Sequence, residues 1–265
     1  MAIPQPSIGG ALDTVRAQVR RIEGAGKPGA SVLPFGLAGL DDQLPGGGLV
    51  LGALHEVAGG GPGTEHGAAA ALFVAGIMAR LPGFVLWCVG YQDLFAPALA
   101  LAGLSADRVV YVEAGKATLA TMEDGLRHPG LAGVVGETDG RITLTASRRL
   151  HLAAETSRVA GFLLRRSRTF DDPRFGEPNA AITRWRIAAL PSGPPLPHAP
   201  AVPGLARAVW RLDLVRCRGG EPASWIVEAC DATGHLGLVS DLYHRSAAAD
   251  REVAAAGRAD RRLRA

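Results

Sequence analysis

Short, unbroken apolar runs separated by helix-length segments constrain this chain more than any other feature. Residues 84–89 (Phe-Val-Leu-Trp-Cys-Val) and 160–164 (Ala-Gly-Phe-Leu-Leu) carry no charged side chain. A strand of that kind has to be covered on both faces, as in a parallel sheet packed between two layers of helices. The centre of the chain keeps the same rhythm. Strands are expected at 53–58, 109–112 and 133–135, and helices at about 68–80, 95–102, 119–127 and 145–158. The fold class that follows is α/β, with a mostly parallel sheet flanked by helices.

The flanks read differently. Leu12, Val15, Val19 and Ile22 fall at helical spacing with Arg16, Arg20 and Arg21 off the stripe, which predicts an amphipathic N-terminal helix. Near the other end, Trp185 and Ile187 alternate with Arg184 and Arg186, as in a half-exposed strand. Six prolines between residues 190 and 204 then make a stiff connector. After it, Trp210, Leu212 and Leu214 alternate with Arg211 and Asp213. Gly219-Gly220 turns the chain, and Trp225 and Val227 alternate with Ile226 and Glu228. This predicts a β-hairpin that extends the sheet antiparallel. The chain thus divides into an N-terminal helix and linker (1–28), the α/β core (29–189), the proline-rich connector (190–204), the hairpin (205–244) and a flexible arginine-rich tail (245–265).

Charge narrows the partners. The 265 residues carry a net charge of +3, and the tail alone accounts for it, so the first 244 residues are neutral. A neutral body argues against a broad nucleic-acid-binding surface. Lys27 and Lys116 are the only lysines among 28 basic residues. Cys88, Cys217 and Cys230 are widely spaced, which suits buried thiols in a reducing compartment rather than a disulfide framework or a metal knuckle. No apolar run reaches the length of a membrane span and no signal peptide is legible, so a cytoplasmic location is expected.

The chemistry, if any, belongs to the glycine-rich segment after the first core strand: Gly59, Gly60, Gly61, Gly63 and Gly67, followed by Ala68 and Ala69. A loop turning from a strand into a helix presents backbone N–H groups to an anion. An active phosphate loop continues Gly-Lys-Ser/Thr, the lysine meeting phosphate and the hydroxyl holding magnesium. Read from Gly61 to Gly67, both groups are absent here: Ala68 and Ala69 stand in their places, and Glu65 adds a negative charge. Loss of one such electrostatic donor costs about 2.7–4 kcal/mol of barrier. The plainer reading is a tight strand-to-helix turn with no catalytic residue, no metal and no bound cofactor. Two acids remain. Glu137 follows the strand at 133–135 where an ATPase keeps a magnesium-binding aspartate, but reads more simply as a solvated loop carboxylate. Asp93 is placed to activate a water, or more simply to cap the next helix.

The stretches Pro34-Phe35-Gly36-Leu37-Ala38-Gly39-Leu40-Asp41 and Leu44-Pro45-Gly46-Gly47-Gly48-Leu49, followed by Gly52 and Glu56, resemble the approach to a RecA-type core. Within that superfamily the chain resembles the ImuA proteins, also labelled SulA-like. The resemblance rests on Gly52-Ala53-Leu54-His55-Glu56-Val57, Val85-Leu86-Trp87-Cys88, Asp93-Leu94-Phe95-Ala96-Pro97-Ala98-Leu99 and Leu144-Thr145-Ala146-Ser147-Arg148-Arg149-Leu150. It continues through Thr183-Arg184-Trp185-Arg186, Arg216-Cys217-Arg218-Gly219-Gly220-Glu221-Pro222 and Val227-Glu228-Ala229-Cys230-Asp231, covering roughly residues 11–245. It implies a degenerate RecA-like core and a non-catalytic accessory role in SOS-induced, error-prone translesion synthesis. The implied partners are ImuB, an inactive relative of Y-family polymerases, and an error-prone DNA polymerase, with RecA itself a further candidate. The alternatives are a DNA-stimulated RecA-like ATPase with a divergent loop, or, from the SulA-like label, an SOS inhibitor of cell division.

RecA-type cores meet single-stranded DNA through loops after the sheet strands. The matching loop offers Arg165, Arg166, Arg168 and Arg174, with Phe170 and Phe175 for base stacking. Asp171, Asp172 and Glu177 leave it only +1, so any DNA contact is expected to be weak or indirect. In the tail, Arg258, Arg261, Arg262 and Arg264 are candidates for a segment that orders on a protein partner.

Overall fold

The computed structural model describes residues 31–90, 94–166, 173–196, 199 and 201–239. The expected N-terminal helix at 11–23 and the tail arginines lie outside them.

Two short antiparallel strands, β1 (Val32–Leu33) and β2 (Leu49–Val50), bracket helix α1 (Ala38–Asp41) and lead into the core. The core then alternates as expected: β3 (Leu54–Gly59), α2 (Thr64–Ala79), β4 (Phe84–Val89), α3 (Ala96–Leu101), β5 (Val109–Glu113), α4 (Thr118–Leu126), β6 (Leu131–Thr138), α5 (Leu144–Ser157) and β7 (Ala160–Arg165). The short helix α6 (Pro173–Gly176) and strand β8 (Thr183–Leu190) follow, then β9 (Val209–Cys217), β10 (Ala223–Glu228) and β11 (Gly237–Leu238). The main sheet runs β11-β10-β9-β8-β3-β7-β6-β4-β5. Strands β5, β4, β6, β7, β3 and β8 are parallel, and β9, β10 and β11 extend the sheet antiparallel. The mostly parallel α/β class and the antiparallel hairpin are both present. The proline-rich segment leaves β8 and returns in β9, its antiparallel neighbour.

Each face of the sheet has its own core. On one face α2 is buried along nearly its whole length from Ala69 to Met78, because it is apolar all round. It packs with Val57, Val85, Trp87, Val135 and Phe162. On the other face Met122 and Leu126 of α4 meet Leu150, Ala153 and Ala154 of α5 over Leu54, Cys88, Val134 and Leu163. Neighbouring residues such as Val134 and Val135 serve opposite cores, as the two-residue period of a strand dictates. Thr143 caps α5, its hydroxyl accepting from the Ala146 amide at 3.2 Å.

The junction between parallel and antiparallel halves is aromatic. Phe35 stacks on Phe73 at 5.9 Å, Trp185 lies 5.7 Å from Phe73, and Trp225 of the hairpin lies 6.1 Å from Trp185. Each such pair contributes about 0.5–1.5 kcal/mol beyond the area it buries. Trp185 Nε1 donates to Thr183 Oγ1 at 2.8 Å. That hydroxyl lies 2.7 Å from His55 Nδ1, and His55 Nε2 lies 2.9 Å from the Val50 carbonyl. The carbonyl can only accept, so Nε2 carries a proton, and in the neutral imidazole Nδ1 accepts from the Thr183 hydroxyl.

Burial accordingly pushes His55 from 6.5 down to about 4. Between those values the unfolded chain binds a proton that the folded chain refuses. Folding stability should therefore fall as pH drops from about 6.5 to about 4, by an amount on the order of 3 kcal/mol. Urea unfolding of the wild type and His55→Gln across this window checks it: the variant should show the shallower pH slope, and parallel slopes would contradict the assignment.

Candidate functional site

In a parallel sheet of this kind, ligands bind beyond the carboxyl ends of the strands. There β3 runs into the glycine loop, and the ends of β6 and β7 bring Glu137, Arg165 and Arg166 alongside.

The helix after the loop begins earlier than the sequence pattern suggests. Gly63 is its N-cap and Thr64 its first residue, four residues before the expected start at Ala68. This corrects the register of the loop. Counted from Gly59, the end of β3, the spacing Gly-x-x-x-x-Gly-Lys-Ser/Thr places Thr64 at the second glycine, Glu65 at the lysine and His66 at the hydroxyl. Ala68 and Ala69 belong to the body of the helix. On that count the lysine position holds a carboxylate and not a methyl.

The loop is closed by its own side chains. A Cβ on Gly63 would stand 2.2 Å from both carboxylate oxygens of Glu65, so that carboxylate folds back over the turn. A Cβ on Gly61 would stand 2.4 Å from the His66 ring. His66 Nδ1 accepts the Ala189 amide at 3.0 Å, and its Nε2 lies 3.6 Å from Glu65 Oε1. The Gly60 amide donates to the Ile187 carbonyl at 2.8 Å. Loop and β8 are therefore tied together, with a negative side chain where a phosphate loop offers a positive one.

Glu137 is also engaged. It is buried, not solvated as its loop-like context suggests. Trp87 Nε1 donates to its Oε1 at 2.9 Å, and Arg166 Nε stands 3.7 Å from its Oε2. Asp93 lies outside the described residues.

A buried ion cluster spans β7, β3 and β8. Glu56 Oε2 accepts from Asn179 Nδ2 at 2.8 Å and from Arg184 Nε at 2.5 Å. Arg165 Nε lies 3.6 Å from Glu56 Oε1, and Arg165 Nη1 donates to the Gly140 carbonyl at 2.6 Å. Arg184 and Arg186 place their guanidinium carbons 5.0 and 4.8 Å from the centre of the Phe175 ring. Two sequence expectations change here. Arg165 and Phe175 are buried and turned to the protein interior, not to nucleic acid. Arg184, read as the outer face of a half-exposed strand, is buried as well. Arg166 faces Glu137, and Arg174 stands on α6. Arg168, Phe170, Arg258, Arg261, Arg262 and Arg264 lie outside the described residues. Sequence reading did not single out Asn179 or Glu56 as a cluster. A glutamate inside an apolar strand was the one available signal.

Among the described residues no group of three or more His, Cys, Asp or Glu is placed to hold a metal ion. The three cysteines are free thiols, and burial pushes Cys88 and Cys217 up to about 11 and Cys230 to about 12, leaving them protonated and unreactive at neutral pH. No helix among the described residues is long and apolar enough to cross a membrane.

No protein-family model matches the chain. It is 43% identical over 239 residues to "Protein ImuA" of Caulobacter vibrioides strain NA1000 / CB15N, and equally to that of strain ATCC 19089 / CIP 103742 / CB 15. Each alignment covers 85% of this chain and 93% of the relative. Among solved structures, the RadB recombinase superposes with a TM-score of 0.53 over 78% of this chain and 100% of RadB, at 15% identity. That likeness makes the fold RecA-like.

Removing the carboxylate from the buried cluster takes away the anion that two guanidinium groups share. Glu56→Gln should lower unfolding free energy by about 3–5 kcal/mol, whereas Glu65→Gln, on an exposed carboxylate, should stay within about 0.5 kcal/mol. Denaturant titration of both variants checks the contrast.

Proposed function

Since this chain belongs to the ImuA family, we propose that it serves as a non-catalytic accessory protein in SOS-induced, error-prone translesion DNA synthesis. In this reading it acts in the cytoplasm beside an ImuB-type, Y-family-like protein and an error-prone polymerase, holding partners and not turning over nucleotide. The observation that carries the reading is the first turn of α2. Glu65 stands where a nucleotide engine keeps its lysine, and Glu65 and His66 fold over the loop that would cradle phosphate. A γ-phosphate would meet a carboxylate there, and electrostatic stabilisation of the transferring phosphoryl group is the main catalytic term in that chemistry. Glu137, which follows the strand core where an ATPase keeps its magnesium ligand, is engaged by Trp87 and Arg166. These features support a scaffold over an ATPase.

Two measurements test it. A deletion strain complemented with the wild-type gene should regain damage-induced mutation frequency, while the purified protein shows no ATP turnover above a heat-killed control. Turnover at ordinary motor rates, or mutation frequency indifferent to the gene, would overturn the reading. The triple substitution Thr64→Gly, Glu65→Lys, His66→Thr rebuilds the Gly-x-x-x-x-Gly-Lys-Thr spacing on the helix start seen here. It should bind a fluorescent ATP analogue more tightly than the wild type does.

A further inference from the structure

On the sheet face opposite α2, a groove of about 580 Å³ runs between the end of α4 and the outer side of α5. Ala153 forms part of its floor, and Leu152 and Pro129 its walls. Leu152 is 58% exposed, a large apolar side chain on the surface of a helix whose inner face is already fully packed.

The rim is charged and pre-arranged. Glu123 is buried between the helices and accepts from two arginines at once. Arg149 Nη2 lies 2.6 Å from Glu123 Oε2, and Arg149 Nε donates to Oε1 at 3.3 Å. Arg127, one turn further along α4, closes on Oε1 through Nη2. One carboxylate thus orients two guanidinium groups and leaves the rim with a net positive charge. Arg127 uses one of its nitrogens on Glu123 and Arg149 uses two, while their side chains remain 61% and 65% exposed. The remaining N–H donors of both forks are held in place for a further acceptor, and the planar fork suits a carboxylate.

We propose that this groove docks an acidic segment of a partner protein, with an apolar side chain seated on Leu152 and Ala153 and carboxylates on Arg127 and Arg149. A volume in the range of small-ligand sites holds one or two side chains rather than a whole helix. The occupant is a peptide and not a nucleic acid because the apolar walls suit a side chain and give a phosphodiester backbone nothing to gain. The site is separate from the glycine loop and does not depend on whether that loop is silent.

The test is a methyl and amide NMR titration of the full chain with the capped peptide acetyl-Asp-Glu-Phe-Leu-Asp-Glu-amide. Resonances of Leu152 and Ala153 should shift, and binding should weaken as salt rises. Leu152→Ser, a surface change that leaves the core intact, and the pair Arg127→Gln, Arg149→Gln should each weaken the peptide by about tenfold or more. A peptide with lysine for every acid, and one with serine for Phe-Leu, should leave those resonances in place. The proposal is overturned if the acidic peptide moves nothing in the groove or if the lysine peptide binds as well. It is equally overturned if both variants bind like the wild type, or if a single-stranded oligonucleotide shifts these resonances and the peptide does not.

Discussion

The carboxylate of Glu56 ties the strand it stands on to both of that strand's neighbours. It lies on β3, in the parallel part of the sheet, and its partners come from both sides: Arg165 from β7, Arg184 from β8 and Asn179 from the approach to β8. Two guanidinium groups are removed from water around one anion. Such an arrangement is a poor source of net stability, but removing the carboxylate takes from two buried cations the anion they share. Side by side with it runs the aromatic chain Phe35, Phe73, Trp185 and Trp225, which is apolar and tolerant of small shifts. The ionic cluster links β7, β3 and β8, and the aromatic one supplies buried area.

The glycine loop keeps the strand-turn-helix shape of a phosphate site while its residues differ from those of an active one. The strand still ends in glycine and the next helix still points its N-terminus at the turn. A helix N-terminus prefers a negative neighbour. Here Glu65, in the first turn, meets that preference from within the chain, and His66 ties the turn to β8. Only the groups that would discriminate and activate a triphosphate differ.

Much of the fold was legible from residue order. The strand at 84–89 appears with those bounds, and the hairpin after the prolines pairs as its alternation implies, because apolar periodicity reports burial directly. The site was less legible, for specific reasons. The start of α2 was hidden because its first turn reads Thr-Glu-His-Gly, and a glycine at position 67 is a weak helix former that looks like loop. Arg184 looked solvent-facing because arginine alternating with tryptophan is the usual mark of a half-exposed strand, and its partner Glu56 lies 128 residues away. Glu137 looked solvated because its partner Trp87 belongs to another strand, 50 residues earlier. Long-range pairing of buried charges leaves no local trace.

The knot formed by His66 and the Ala189 amide has a consequence for timing. Molecular switches of the nucleotide-driven kind keep a hinge slack until a triphosphate pulls it taut, and cleavage lets it go. In this protein the glycine turn is tied to β8 by an imidazole that no cleavage step can remove. On the proposed reading, a component built that way has no internal clock. If it works as proposed, how long it acts is decided by how much of it is made and how quickly it is cleared.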